Sequence, residues 1–195
     1  MRNDIIRNLV YAQISFFGCL AIAVALTTTG FTNNQGLSFY GAHYPTILPF
    51  GLGFVLCDFF LLRAANELPA QQRPFDKLQL LLRIIAALML AVLLTPDTFG
   101  WIFYTAHVLA SALLFLLEIG IATWLAWRWN SSTLMWVLLG GQTVAGIVAL
   151  LSELQFMHYL SQGSLAFQLL FGVLLVWSIS QLISQVDTRS PRHKL

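Results

Sequence analysis

IFYTAHVLASALLFLLEIGIATWLAW, residues 102–127, decides the fold of this chain. The stretch is apolar almost without interruption and carries one carboxylate, Glu118, and one histidine, His107. A helix rises about 1.5 Å per residue, so roughly 20 apolar residues cross the hydrocarbon core of a bilayer. Lipid admits only helices and closed barrels, because every backbone polar group must be satisfied internally. The run is too long and too continuously apolar for an alternating barrel strand. It reads as a spanning helix.

Five further segments read the same way: Leu9–Thr29, Ile47–Ala65, Leu78–Thr95, Leu134–Leu151 and Leu165–Ser184. The 195 residues are 58% hydrophobic and 9% charged, too few charges to coat a soluble domain. The basic N-terminus, Met1 to Arg7, resembles the start of a signal peptide, but the following run is long and lacks a cleavage pattern. It is kept as the first span. Connections are short and hold no room for a soluble domain. The expected fold is all-α, one transmembrane domain over residues 1–195. Asn33-Asn34-Gln35-Gly36 opens the first connection, and Asn130-Ser131-Ser132 makes the fourth. The fifth, around Glu153 to Gly163, is longer and reads as interfacial.

All ten Lys and Arg residues fall on one side of this six-helix threading. They are Arg2 and Arg7, then Arg63, Arg73, Lys77 and Arg83, then Arg128, then Arg189, Arg192 and Lys194. Cations mark the cytoplasmic side, so both termini are expected there, in a plasma membrane of bacterial inner-membrane type. Phe39, Tyr40, Tyr44, Trp101, Phe103 and Tyr104 suit an outer aromatic belt, and Trp124, Trp127 and Trp129 an inner one. A net charge of +2 with no basic stripe excludes nucleic acid as a partner. The expected partners are lipid, a second copy, or another membrane protein.

Ionisable groups within spans are costly and mark candidate sites. Asp58 and Glu118 qualify, at comparable depths, and face one another or a shared cavity in this reading. A protonated, neutral carboxyl is one way to hold either in lipid. Tyr104, His107, Ser111 and Glu118 are spaced by three, four and seven residues. At about 100° per residue they form one stripe roughly 60° wide. The functional reading of the stripe is a proton, ion or substrate path. The structural alternative is interhelical hydrogen bonding.

The start of the second span, Tyr44-Pro45-Thr46-Ile47-Leu48-Pro49-Phe50-Gly51-Leu52-Gly53, predicts either a broken helix or ordinary N-terminal prolines. The second reading is the simpler. Arg63 and Glu67 read as an interfacial ion pair. Gly140, Gly141, Gln142, Thr143 and Gly146 suit close helix packing, with Gln142 bonding across an interface. Gln168 and Gly172, at i,i+4, also read as packing. The third span shows no polar side chain from Ile84 to Leu94 and should face lipid. His43, His107 and His158, with Asp97 and Glu153, could together form an exterior metal site, or two helix-borne histidines hold a haem. No HxxxH or HExxH occurs, so separate interfacial histidines are the plainer reading and no cofactor is expected. Cys19 and Cys57 read as small buried hydrophobes. No Walker, dinucleotide or nucleophile-elbow motif is present.

The stretch Asn34-Gln35-Gly36-Leu37-Ser38-Phe39-Tyr40-Gly41, continuing through Pro49-Phe50 to Leu61-Leu62-Arg63-Ala64-Ala65, resembles small bacterial multi-pass proteins of unknown function. Those are loosely Frag1/DRAM-like. The resemblance covers roughly residues 33–66 and more faintly His107 to Glu118, and it implies a six-helix bundle and no reaction. Three functions compete: a small transporter, channel-like protein or membrane-embedded partner subunit; a metal-dependent lipid hydrolase within the membrane; and a structural scaffold. The buried carboxylates and the lack of a catalytic motif favour the first.

Overall fold

The computed structural model describes residues 2–33, 35–69, 74–129 and 132–189. Asn34, Arg73, Asn130, Ser131, Arg192 and Lys194 lie outside the described residues, as do the side chains of Arg2, Asp97, Trp129 and Arg189.

The described residues are helical, with no strand among them. Helix α1 covers Arg2–Leu26, α4 Ile47–Glu67, α5 Phe75–Leu94, α6 Trp101–Trp129, α7 Thr133–Glu153 and α8 Leu160–Arg189. Between α1 and α4 stand two single turns, α2 (Thr29–Thr32) and α3 (Phe39–Ala42), and a 3-10 turn, Asp97–Phe99, precedes α6. The described residues include six helices long and apolar enough to cross a membrane. Their mean hydropathies run from 1.8 to 2.2. The outside confirms that character. Leu48, Leu94, Leu116 and Val137 are exposed by 73%, 64%, 63% and 63%. Helices apolar on both their inner and outer faces are solvated by lipid, not water.

α1 packs along α4, α4 on α5, α5 on α6 and α6 on α8, which returns to touch α1. α7 lies against α8 and α6. Most of the buried apolar side chains form one cluster reaching from Ile5 to Ile183. α5 buries Leu78, Leu82, Ile85 and Met89 and exposes Leu80, Ile84, Leu90 and Leu94, so half of it faces outward.

Boundaries differ from the sequence reading where polar side chains have internal partners. α1 starts at Arg2 rather than near Leu9, because Asn8 is buried and donates from Nδ2 to Glu67 Oε1 at 3.0 Å. α1 stops at Leu26, where Thr27 Oγ1 accepts from the Thr29 amide at 3.3 Å and starts a turn. α4 runs unbroken through Pro49, Gly51 and Gly53. Pro49 lies in the first turn, where its missing N–H costs nothing. Thr46 anchors that start by donating to the carbonyls of Tyr40 and His43, at 2.9 and 2.8 Å.

The fifth connection is shorter than the sequence suggests, since α8 begins at Leu160 and Gly163 lies inside it. A Cβ at Gly163 would stand 2.7 Å from Ala149 N and 3.0 Å from Ala145 O. Gly163 is therefore a contact point between α7 and α8, not a loop residue.

Candidate functional site: a cavity under the first connection

The inward face of α6 carries the polar stripe. Leu109, Leu113 and Leu116, on other faces, are exposed by 59%, 56% and 63%. His107 and Ser111 line a cavity of about 220 Å³. Gly36, Leu37 and Ser38 roof it, and Gln168 and Ser164 reach it from α8. Its remaining walls are apolar, with five phenylalanines, Phe16, Phe50, Phe54, Phe115 and Phe167, among aliphatic side chains.

Each polar group here has a local cause. Val92 lies in the last turn of α5, where carbonyls lack an intrahelical partner. His107 supplies one, with Nδ1 3.2 Å from Val92 O. A carbonyl only accepts, so Nδ1 carries a proton, and the ring in its neutral form presents Nε2 as an acceptor. Glu118 is 2% exposed and accepts from Gln168 Nε2 at 2.8 Å. Gln168 thus stands between the cavity and the carboxyl. Sequence reasoning gave this glutamine a packing role only. The available signal was that a carboxyl inside a span needs a donor from another helix.

Asp58 is 8% exposed on α4, and its Oδ1 has no hydrogen-bond partner. It does not line the cavity; Phe54, one turn earlier, does. α5 packs between α4 and α6, and no hydrogen bond joins the two carboxyls among the described residues. The two carboxyls therefore do not pair.

Tyr104 separates from its stripe. It is 51% exposed and lines a shallower hollow with His43, Gln35 and Thr98. That hollow shares Gly36 and Ser38 with the cavity, so the two lie on either side of the same short segment. Ser161 of α8 holds this segment by donating to the carbonyl of Gly30 at 3.0 Å and to that of Gln35. Tyr40 is fully buried beneath it, and that burial pushes its phenol above the usual range. Gln142 is fully buried on α7, outside the cavity lining. The cross-helix bond expected of it is not formed, for both its amide atoms lack a partner.

The three histidines weighed as metal ligands are dispersed. His43 gives Nδ1 to Phe39 O at 2.9 Å and stacks on the Phe39 ring at 4.0 Å. His107 is in the cavity, and His158 is exposed in the α7–α8 connection. Among the described residues no three His, Cys, Asp or Glu side chains gather as a metal site.

The opposite end of the bundle is polar and cationic. Arg63 Nε stands 3.9 Å from Glu67, which also holds Asn8. Arg83 donates to Asn66 at 2.9 Å, and Gln79 to the carbonyl of Ala65 at 2.9 Å. Asn8, the buried member of this group, drew no notice in the sequence.

Fold and site together define a class: a helical bundle of membrane type with a small, mainly apolar cavity that presents a few polar side chains. No family model matches the chain, and no curated protein or solved structure is similar to it.

Proposed function

We propose that this chain is a multi-pass membrane protein of the transport class, a small transporter or channel-like protein, with both termini in the cytoplasm. The observation that carries the reading is the buried Glu118–Gln168 pair behind a cavity presenting His107 and Ser111. A scaffold gains little from such a pair, since well-packed apolar residues of similar volume serve a core equally or better. A carboxyl retained inside a span beside an open void is what a transport path requires. Asp58, with one oxygen unpartnered, is a second protonatable group in the bundle, outside the cavity lining. The hollow of Gln35, His43 and Tyr104 is the outer mouth of that path.

The threading rests on the cations. Arg63, Lys77 and Arg83 stand about the α4–α5 connection, and Arg128 ends α6. Cations this close to span ends hold that face in the cytoplasm. The resemblance to small bacterial multi-pass proteins supports an inner-membrane location. A metal-dependent hydrolase requires several side chains on one metal, and the described residues gather no such set.

Reconstituted vesicles test the reading. With an internal pH dye and a potassium gradient released by valinomycin, the protein should carry proton flux above that of empty vesicles. Glu118→Gln and Asp58→Asn should each return flux to the empty-vesicle level. Flux unchanged in both variants rejects the role of the carboxyls.

A further inference from the structure

The walls of the cavity specify what fits it. Phe16 comes from α1, Phe50 and Phe54 from α4, Phe115 from α6 and Phe167 from α8. Phe115 and Phe167 stack with centroids 4.0 Å apart, presenting an ordered aromatic wall. An apolar hole of about 150 Å³ suffices to hold benzene. This one is about 220 Å³, room for a single ring and a substituent.

The polar groups set the chemistry of that substituent. His107 spends its Nδ1 proton on Val92 O and, as the neutral imidazole, offers Nε2 as an acceptor. Gln168 gives one Nε2 hydrogen to Glu118 and offers Oε1, a second acceptor. The Ser111 hydroxyl bonds to none of the described residues and can take either role. The cavity therefore asks for a donor. No Lys or Arg lines it, and the nearest charge-bearing group behind Gln168 is a carboxyl. An anion would be desolvated there without a counter-charge.

We infer that the cavity binds a neutral molecule of one aromatic ring bearing a hydrogen-bond donor, of phenol type. The ring lies among the phenylalanines and the donor points to His107, Ser111 and Gln168. The inference names the cargo of the proposed transport site, and in that respect rests on the transport reading.

Fluorine NMR of the protein in lipid nanodiscs tests it, with empty nanodiscs as the partitioning control. At neutral pH para-fluorophenol should give a saturable, protein-dependent shift. Fluorobenzene, which has the ring without the donor, should bind about tenfold more weakly. Para-fluorobenzoate should show no saturable shift. Ser111→Leu and Leu114→Phe, which fill the cavity from two positions, should abolish the phenol signal while eluting as folded protein. The selectivity series needs only the native chain, so it decides even if both variants misfold. Equal binding of fluorobenzene and para-fluorophenol would overturn the inference. Saturable binding of para-fluorobenzoate, or native phenol binding in both folded variants, would do the same. Phenol binding with carboxyl-independent flux keeps this inference and removes the transport role. Carboxyl-dependent flux without phenol binding does the reverse.

Discussion

Glu118 is buried with a donor in Gln168, whereas Gln142 is equally buried with no partner for either amide atom. The two should respond oppositely to apolar substitution. A buried polar group left unsatisfied costs about 1–3 kcal/mol, and replacing it with an apolar side chain of like shape removes that cost. Gln142→Met should therefore raise the unfolding temperature in detergent; a fall would mean that Gln142 has a partner in the native protein. Gln168→Leu strands the Glu118 carboxyl and should destabilise by about 1–3 kcal/mol. Adding Glu118→Leu to it should recover most of that loss in chemical unfolding. If the double variant is less stable than the single, the pair does not act as a unit. At this scale the sequence revealed Glu118, Asp58 and His107, because an ionisable group stands out in an apolar run. It did not reveal Gln168 as partner or Asn8 as buried, since a cross-helix bond leaves no periodic trace along either strand of sequence.

Helices were the most legible feature, because the length and continuity of apolar runs are written locally. Ile47, Thr133 and Trp101 begin helices within one residue of the expected spans. Ends were less legible where a residue type has two uses. Gly163 reads as a connector in sequence, yet it lies where the backbones of α7 and α8 nearly touch. Gly140, on the facing helix, meets nothing within 4 Å. Gly163→Val should thus cost more than about 2 kcal/mol, as overpacking against backbone cannot be relieved by rotating a side chain. Gly140→Ala should be neutral or stabilise by up to about 1 kcal/mol through helix propensity. Thermal unfolding of the two variants side by side measures the contrast, and equal effects would refute the α7–α8 register described above. Pro49 shows the same duality in reverse, because a residue that breaks helices elsewhere opens α4 without bending it.

A cavity belongs to the whole molecule, and for that reason it was the least legible. Its roof comes from the first connection, its walls from α1, α4, α5, α6 and α8, and its polar lining from two helices. The α6 stripe pointed inward as expected, but periodicity could not show that Tyr104 would open outward while His107 and Ser111 face the void. The proposed path requires a threading with the roof outside and the Arg63–Arg83 end in the cytoplasm. Cysteine labelling tests this most directly, in a background with Cys19→Ala and Cys57→Ala. Single cysteines at Gln35, Thr98 and Phe156 should react with an impermeant maleimide on intact cells. Those at Asn66 and Lys77 should react only after permeabilisation. Reaction of Gln35→Cys and Lys77→Cys from the same side would contradict the threading and remove the outer mouth from the proposed path.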